Sequence, residues 1–201
     1  MKTHFILASA LVLSACAREH SPATDAPVAP QSETPSAMAA PKLDGILGMT
    51  YTSLEGKEVP FASYQGKVLL IVNVASKCGY TPQYKGLEAL HETLGPKGLV
   101  VIGFPSNEFG GQEPGDATQI REFCTEKYSV KFPLASKVEV KPGATQSPVY
   151  RYLTDQTGDV PGWNFCKYLI GKDGKIIGFY SSKTTPEALA PEIEKALAAQ
   201  G

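Results

Sequence analysis

A nearly unbroken apolar run, Val68–Val74, is the feature that most constrains how this chain can fold. Such a run, without polar alternation, is typical of a strand that is buried on both faces of a sheet. A second apolar run follows at residues 99–104, and between the two runs lie apolar side chains at helical spacing, at Tyr84, Leu87, Leu90 and Leu94. The order strand, helix, strand predicts an α/β domain with a helix packed against its sheet.

A cysteine lies at the junction between the first strand and this helix. Cys78 precedes Thr81, which we expect to cap the helix, and Pro82, which suits its first turn. Backbone N–H groups converge at a helix start, the helix dipole is positive there, and Lys77 adds a cation, so each favours the thiolate form. Because the thiolate is the nucleophile, the sequence predicts a reactive Cys78; the alternative is an inert buried cysteine.

Composition narrows the classes of function. The chain has 201 residues, of which 42% are hydrophobic and 19% charged, and a formal net charge of −1, which is typical of a globular protein with one core. This balance, without a basic stripe, argues against nucleic acid as a partner. We expect neither a metal nor a nucleotide cofactor, because no glycine-rich phosphate loop follows a strand and because no histidine has metal-ligand spacing to two cysteines (His4, His20 and His91).

The first fifteen residues predict a secretory signal peptide, with Lys2 followed by an apolar run over residues 5–13. Residues 13–16 resemble the lipobox of bacterial lipoproteins, in which the cysteine, here Cys16, is lipid-modified and becomes the mature N-terminus. The alternative is an ordinary A-x-A cleavage site at residues 15–17, which releases a soluble protein but leaves the cysteine unexplained. Lipidation of Cys16 predicts a membrane-anchored protein of the bacterial envelope, and Ala17 indicates the outer membrane, facing the periplasm.

Residues 16–42, rich in Ala, Pro and Ser, predict a flexible tether, and residues 43–201 a folded domain. Beyond the first strand–helix–strand unit, a capping box opens a helix at residues 116–119, residues 147–153 are a candidate short helix, and strands at Lys167–Ile170 and residues 175–180 form a hairpin. A last helix begins after Thr185. This order resembles the thioredoxin-like fold, a central mixed sheet flanked by helices.

The cysteine spacing excludes one reaction class within that fold. Dithiol exchange enzymes carry a second cysteine three positions after the first, whereas Cys78 is followed at that position by Thr81. A lone cysteine on this scaffold can attack an O–O bond, and a distant thiol then captures the resulting sulfenic acid as a disulfide.

Three sequence blocks resemble the glutathione peroxidase family: residues 73–79, residues 103–115 and Trp163-Asn164-Phe165. They follow the family's order and spacing, and the resemblance covers residues 43–201. It implies a thiol peroxidase that reduces hydrogen peroxide and organic or lipid hydroperoxides through a cysteine sulfenic acid and an intramolecular disulfide, protecting the envelope from oxidative damage. It also implies that Cys78 is the peroxidatic residue and that Gln112, Trp163 and Asn164 complete its tetrad. Their amide and indole N–H groups can donate to the thiolate and to the departing oxygen without titrating near neutral pH.

The segment of residues 123–133 resembles the resolving-cysteine segment of the thioredoxin-dependent branch of that family. The resemblance implies that Cys124 captures the sulfenic acid and that a thioredoxin-like protein reduces the disulfide, whereas relatives without this cysteine tend to use glutathione. The alternative is a core cysteine, because Ile120, Phe123 and Cys124 share one helix face. If Cys78 and Cys124 lie on separate elements, the Cys124 helix must unwind before a disulfide can form. We expect a monomer.

Two departures from the family pattern bear on the site. Glu108 stands where glutamine is usual, and its carboxylate would oppose thiolate formation if it pointed toward Cys78. Cys166 is expected to be buried in a strand, with a rival disulfide role as the alternative. Two other classes of function remain at this stage, a thiol–disulfide exchange protein of the envelope and a non-catalytic lipoprotein that keeps the fold as a binding module.

Overall fold

A computed structural model describes residues 43–199 of the chain. The predicted signal peptide, the lipidated Cys16 and the tether lie outside the described residues and stay predictions. Within residues 43–199, no helix has the length and apolar character needed to cross a membrane.

The described part of the chain alternates strands with helices as the hydrophobic pattern predicts. In chain order the elements are β1 (Thr50–Thr52), β2 (Glu58–Pro60), β3 (Val68–Val74), α1 (Gln83–Leu94), β4 (Leu99–Pro105), α2 (Ala117–Tyr128), α3 (Pro148–Thr157), β5 (Lys167–Ile170), β6 (Ile176–Tyr180) and α4 (Pro186–Ala198). Short 3-10 turns lie at Gly45–Gly48, Phe61–Tyr64 and Gly95–Lys97. The third helix runs beyond the predicted residues 147–153 and ends where Gly158 adopts a left-handed φ of 75°.

The sheet places the end of β3 at the centre of the molecule. Its strand order is β4-β3-β5-β6, with β4 parallel to β3 and with β5 and β6 antiparallel to their neighbours. All 7 residues of β3 are buried, as expected for an inner strand covered on both faces. The mixed sheet flanked by helices that the sequence predicts is confirmed.

The side chains of β3 divide the core into two layers because successive residues of a strand point to opposite faces. Val68, Leu70, Val72 and Val74 pack with the apolar faces of α1, α2 and α4. Leu69 and Ile71 pack on the other face, with α3 and with the antiparallel pair of β1 and β2. Each fully buried aliphatic side chain of this size stabilises the fold by about 1.5–3 kcal/mol. The two layers therefore fix β3, and the loop that follows it, from both sides.

Helix capping follows the sequence at two helices and departs from it at a third. Asp116 and Gln119 form the predicted capping box of α2, and Thr185 accepts a hydrogen bond from Ala188 N–H at the start of α4. The expectation that Thr81 caps α1 is wrong, because Pro82 holds that position and no side chain caps the helix. Thr81 is instead used inside the turn that carries Cys78.

Candidate active site

Cys78 lies in the turns between β3 and α1 and is 7% exposed. Its backbone N–H donates to Thr81 Oγ1 at 2.9 Å, and the Thr81 hydroxyl donates to the Ala75 carbonyl at 2.8 Å. These bonds fold the turn around the cysteine, and the Tyr80 N–H then donates to Cys78 Sγ at 3.4 Å. A backbone N–H directed at sulfur stabilises a thiolate more than a thiol. The predicted nucleophile therefore lies in a turn that suits its chemistry.

The long loop after β4 brings Gln112 to the same place. The Lys77 N–H donates to the Gln112 carbonyl at 3.0 Å, so the loop is attached to the residue beside Cys78. The Asn164 amide Nδ2 donates to Gln112 Oε1 at 3.0 Å. Asn164 is fully buried, and its Oδ1 has no hydrogen-bond partner within the described residues. The two predicted amides are thus paired next to the Cys78 turn.

Trp163 directly precedes Asn164 in the chain and reaches the surface. Its side chain is 40% exposed, and its ring packs tilted against Phe109 with centroids 5.8 Å apart. Phe165, two positions further on, adopts a φ of 65°, a left-handed conformation that is uncommon for a bulky residue. This turn lets Trp163 and Asn164 face the loops while Phe165 enters the core, where it is 0% exposed.

Asn73 holds that turn in place, and sequence reasoning missed it. Its Nδ2 donates to the Trp163 carbonyl and its Oδ1 accepts from Cys166 N–H, both at 2.9 Å. Its backbone carbonyl accepts from Phe165 N–H at 2.6 Å. A buried amide is stable only when its polar atoms find partners. The available signal was a single polar residue within an otherwise apolar strand.

Cys124 lies in α2 and is 0% exposed. Burial, and to a lesser degree the Glu113 carboxylate, raises the pKa of its thiol from 9.0 to about 11. Cys78, Cys124 and Cys166 are all free thiols. The structure places Cys78 and Cys124 in the same core layer but on separate elements, so the resolving role of Cys124 stays a prediction.

The structure shows where the two departures from the family pattern, Glu108 and Cys166, lie. The Glu108 carboxylate accepts hydrogen bonds from the N–H groups of Val140 and Lys141, so it fixes that segment rather than facing Cys78. Cys166 is 3% exposed, and its sulfur lies 3.6 Å from the Ser182 hydroxyl. Cys166 is buried as expected, but it lies directly before β5 and not within a strand, and its rival disulfide role stays untested.

A buried lysine lies behind the site. Lys167, in β5, donates to Gln83 Oε1 at the start of α1 and to the Thr184 carbonyl at 2.6 Å. Gln83 in turn donates to the Ser182 carbonyl at 2.7 Å, and the Ser182 hydroxyl donates to the Asn164 carbonyl at 2.6 Å. Burial lowers the pKa of the Lys167 ammonium to about 8. This network connects the start of α1 with the backbone of Asn164.

A cavity of about 390 Å³ opens beside the exposed indole, lined by Tyr80, Trp163, Cys166, Phe179, Ser182 and Lys183. A larger cavity of about 740 Å³ lies on the Glu108 side and is lined by none of the predicted catalytic residues. No group of three or more His, Cys, Asp or Glu side chains is arranged to hold a metal ion in the part of the chain that the structure describes. The cavity of about 390 Å³ is the candidate substrate entrance, because Trp163 lines it.

Known proteins resemble this chain in sequence and in fold. The sequence profile of the glutathione peroxidase family matches residues 46–154. A glutathione peroxidase-like peroxiredoxin of Chlamydomonas reinhardtii is 50% identical over 154 residues, covering 75% of this chain and 94% of the relative. A hydroperoxy fatty acid reductase of Synechocystis is 42% identical over 173 residues, covering 80% of this chain and 100% of the relative. The crystal structure of Trgpx in its apo form superposes with a TM-score of 0.63 at 34% identity, covering 77% of this chain and 96% of that one. These matches confirm the predicted thioredoxin-like fold.

Proposed function

This chain belongs to the glutathione peroxidase family, and from that premise we propose how its candidate site reduces a hydroperoxide. The observation that carries the proposal is the Cys78 turn, in which a backbone N–H points at the sulfur and to which the bonded pair of Gln112 and Asn164 is attached. The protein is a thiol peroxidase with Cys78 as its nucleophile.

In the first step the Cys78 thiolate attacks the terminal oxygen of the hydroperoxide. The O–O bond breaks, Cys78 becomes a sulfenic acid, and the departing alkoxide or hydroxide takes up a proton. Gln112, Trp163 and Asn164 supply N–H donors for the thiolate and for the negative charge that develops on the leaving oxygen. The Gln112–Asn164 hydrogen bond supports this role, because it holds both amides in place before substrate arrives.

In the second step Cys124 captures the sulfenic acid and water is released. Cys124 is fully buried on a helix separate from the Cys78 turn. A disulfide requires Cα atoms about 4.4–6.8 Å apart, so we expect α2 to open locally after Cys78 is oxidised. The name peroxiredoxin carried by the Chlamydomonas relative supports a cycle through protein thiols.

A dithiol protein then reduces the disulfide and restores both thiols. We propose a thioredoxin-like protein of the envelope as this reductant, with glutathione as the alternative. The hydroperoxy fatty acid reductase among the relatives supports organic and lipid hydroperoxides as substrates beside hydrogen peroxide. The half-exposed Trp163 and the cavity beside it offer an apolar surface for such a substrate.

The proposed setting is the envelope of a bacterium. A lipid anchor on Cys16 and a tether of residues 16–42 would hold a monomeric peroxidase domain near the outer membrane, facing the periplasm. There, the protein would protect membrane lipids from oxidative damage. Metabolic labelling with a radioactive fatty acid tests this setting, since the wild-type chain should take up label and a Cys16→Ala variant should not.

Mass spectrometry of the reduced full chain after one equivalent of hydrogen peroxide tests the reaction. A rapid loss of two hydrogens that maps to a Cys78–Cys124 disulfide is the expected result. Stable addition of oxygen at Cys78 would keep the peroxidase chemistry but reject Cys124 as the resolving thiol. An unmodified Cys78 would contradict the proposal as a whole.

A further inference from the structure

Glu113 is a buried carboxyl group that the proposed reaction does not yet use. It directly follows Gln112 in the loop after β4, and its side chain is 0% exposed. One carboxyl oxygen accepts a hydrogen bond from the Ser76 hydroxyl at 2.8 Å, and the other, Oε2, has no partner in residues 43–199. Burying an unpaired carboxyl oxygen lowers the stability of the fold, so the presence of Glu113 at this position calls for an explanation.

The position of Glu113 joins the two cysteine sites. Through Ser76 it is attached to the loop of Cys78, and it lines a cavity of about 550 Å³ together with Ile120 and Phe123 of α2. Cys124 shares a face of α2 with Ile120 and Phe123, and the negative charge of Glu113 acts to raise the pKa of its thiol. Glu113 therefore lies between the Cys78 turn and the helix of Cys124.

The other ionisable groups around Glu113 are less suitable as acceptors of the Cys124 proton. The Tyr84 hydroxyl of α1 is a neighbour of both Cys124 and Glu113, and burial raises its pKa well above the ordinary value. Lys77 and Lys137 are cations whose charges act to lower the pKa of Glu113. Burial outweighs them, so the pKa of Glu113 is raised above the ordinary 4.5. Of these types of side chain, only the carboxylate is ordinarily without its proton at neutral pH and can therefore act as the acceptor.

We propose that Glu113 is the proton acceptor for Cys124 when this thiol attacks the sulfenic acid of Cys78, an inference that rests on the resolving role proposed above. The S–H bond of Cys124 breaks first, as its proton passes to the carboxylate. After α2 opens, the Cys124 thiolate attacks the sulfenic sulfur of Cys78, so that the S–S bond forms as the S–O bond breaks. Glu113 returns the proton through solvent in the adjoining cavity to the departing hydroxide, which leaves as water. One thiol and one sulfenic acid become one disulfide and one water, without a further oxidant or reductant.

The proton transfer also assists the movement of α2. While Glu113 is ionised, a negative charge is held in the core, where desolvation disfavours it. Once the proton has passed to Glu113, the charge resides on the Cys124 sulfur and can leave the core when the helix opens. The carboxyl group stays behind in its neutral form, so deprotonation of Cys124 and opening of α2 favour each other.

Glu113→Gln tests the proposal, because glutamine can still accept the Ser76 hydrogen bond but cannot take up a proton. The reduced full chain is mixed with one equivalent of hydrogen peroxide, quenched at intervals, and assayed for sulfenic acid by dimedone trapping and for disulfide by mass spectrometry. We expect sulfenic acid to form at the wild-type rate and disulfide formation to slow by about tenfold or more at neutral pH. The matched control Glu126→Gln, an exposed acidic residue that lines the same cavity, should leave both rates unchanged.

The pH profile of disulfide formation separates proton transfer from a structural role. In the wild-type chain the rate should rise as Glu113 ionises, above the ordinary carboxyl pKa of 4.5, and this rise should be absent in E113Q. Disulfide formation at the wild-type rate in E113Q would overturn the proposal. If E113Q does not fold, the wild-type profile decides, and a rate that rises only toward the thiol pKa overturns it. Intramolecular consumption of sulfenic acid that survives in Cys124→Ser would instead reject the resolving role, and the Glu113 proposal with it.

Discussion

The two cysteines of the proposed reaction lie on the same side of the sheet but in unlike surroundings. Cys78 lies in a turn, 7% exposed, with the Tyr80 N–H 3.4 Å from its sulfur. Cys124 lies within a regular helix, 0% exposed, and burial raises the pKa of its thiol to about 11. The backbone around the first supports a charged sulfur, whereas the packing around the second opposes one.

This difference explains how one fold can hold two thiols apart until one of them is oxidised. The Cys78 turn is fixed by hydrogen bonds through Thr81 and is ready to react in place. Cys124 is kept neutral by its burial, so it does not compete for peroxide, because the thiolate is the nucleophile. In the proposed reaction Cys78 reacts where it lies, whereas Cys124 must first lose its proton and move.

The largest effect is expected from Cys78→Ser, which removes the nucleophile. Peroxide reduction should fall by at least about a thousandfold, measured as peroxide consumption with a dithiol reductant. The control Gln65→Ala, at an exposed position outside the cavity that Trp163 lines, should keep the wild-type rate. Substantial turnover by C78S would mean that another residue is the nucleophile, and the comparison of Cys78 with Cys124 would then no longer describe the reaction.

A smaller effect should follow when the amide pair beside Cys78 is broken. Gln112→Ala and Asn164→Ala each remove a polar group of the pair and should slow sulfenic acid formation by about a hundredfold. Because the two side chains are bonded to each other, the double variant should lose less than the sum of the single effects. Stopped-flow detection of Cys78 oxidation gives these rates, with Gln65→Ala, at an exposed position away from the site, as the control. Fully additive losses would mean that the amides act separately.

The surroundings of Cys124 can be tested by stability against pH. Burial raises the pKa of this thiol from 9.0 to about 11, so the folded state holds the proton more tightly than the unfolded state. The resulting stabilisation is complete below pH 9 and is lost as the pH rises through 11, a change of about 2–3 kcal/mol. Urea unfolding of the wild type and Cys124→Ala should therefore show a free-energy difference that decreases over this range. A constant difference would mean that Cys124 is more accessible than the structure places it.

The smallest effect is expected at Glu108, which adjoins the site in sequence but is bonded elsewhere. Glu108→Gln weakens its bonds to Val140 and Lys141 N–H and should lower the free energy of unfolding by about 1 kcal/mol. The rate of Cys78 oxidation should not change. An increase of that rate in E108Q would show that the Glu108 carboxylate acts on the Cys78 thiolate. The surroundings of Cys78 would then include a charged side chain as well as the backbone N–H groups of the turn.

Much of the fold could be predicted because its signals are local. The apolar run of β3, the spacing of α1, the Asp116–Gln119 capping box and the Thr185 cap all depend on residues close together in the chain. The prediction for Thr81 is wrong because its hydroxyl is bonded inside the turn, where it accepts from the Cys78 N–H and donates to the Ala75 carbonyl. Local sequence patterns predict the helices and strands, but they do not predict which hydrogen-bond partner a side chain takes within a turn.

The candidate site shows the opposite balance. The strand–helix junction predicts Cys78 and the family resemblance predicts Gln112, Trp163 and Asn164, but neither shows what holds these residues together. Asn73 and Glu113 act across 90 and 37 residues of sequence, on Trp163 and Ser76 respectively. No local pattern encodes such contacts, so the supporting residues emerged only from the structure.

The hydrogen bonds of Asn73 also constrain the order in which the molecule can assemble. They join β3 to a segment 90 residues further along the chain, so the loop between them must close before Trp163 and Asn164 reach the Cys78 turn. Contacts of such large sequence separation form late and slowly compared with helices. A nascent chain whose Trp163 segment has not yet emerged therefore carries Cys78 without its proposed partners Trp163 and Asn164. We expect the peroxidase activity to appear only when the last strands have folded.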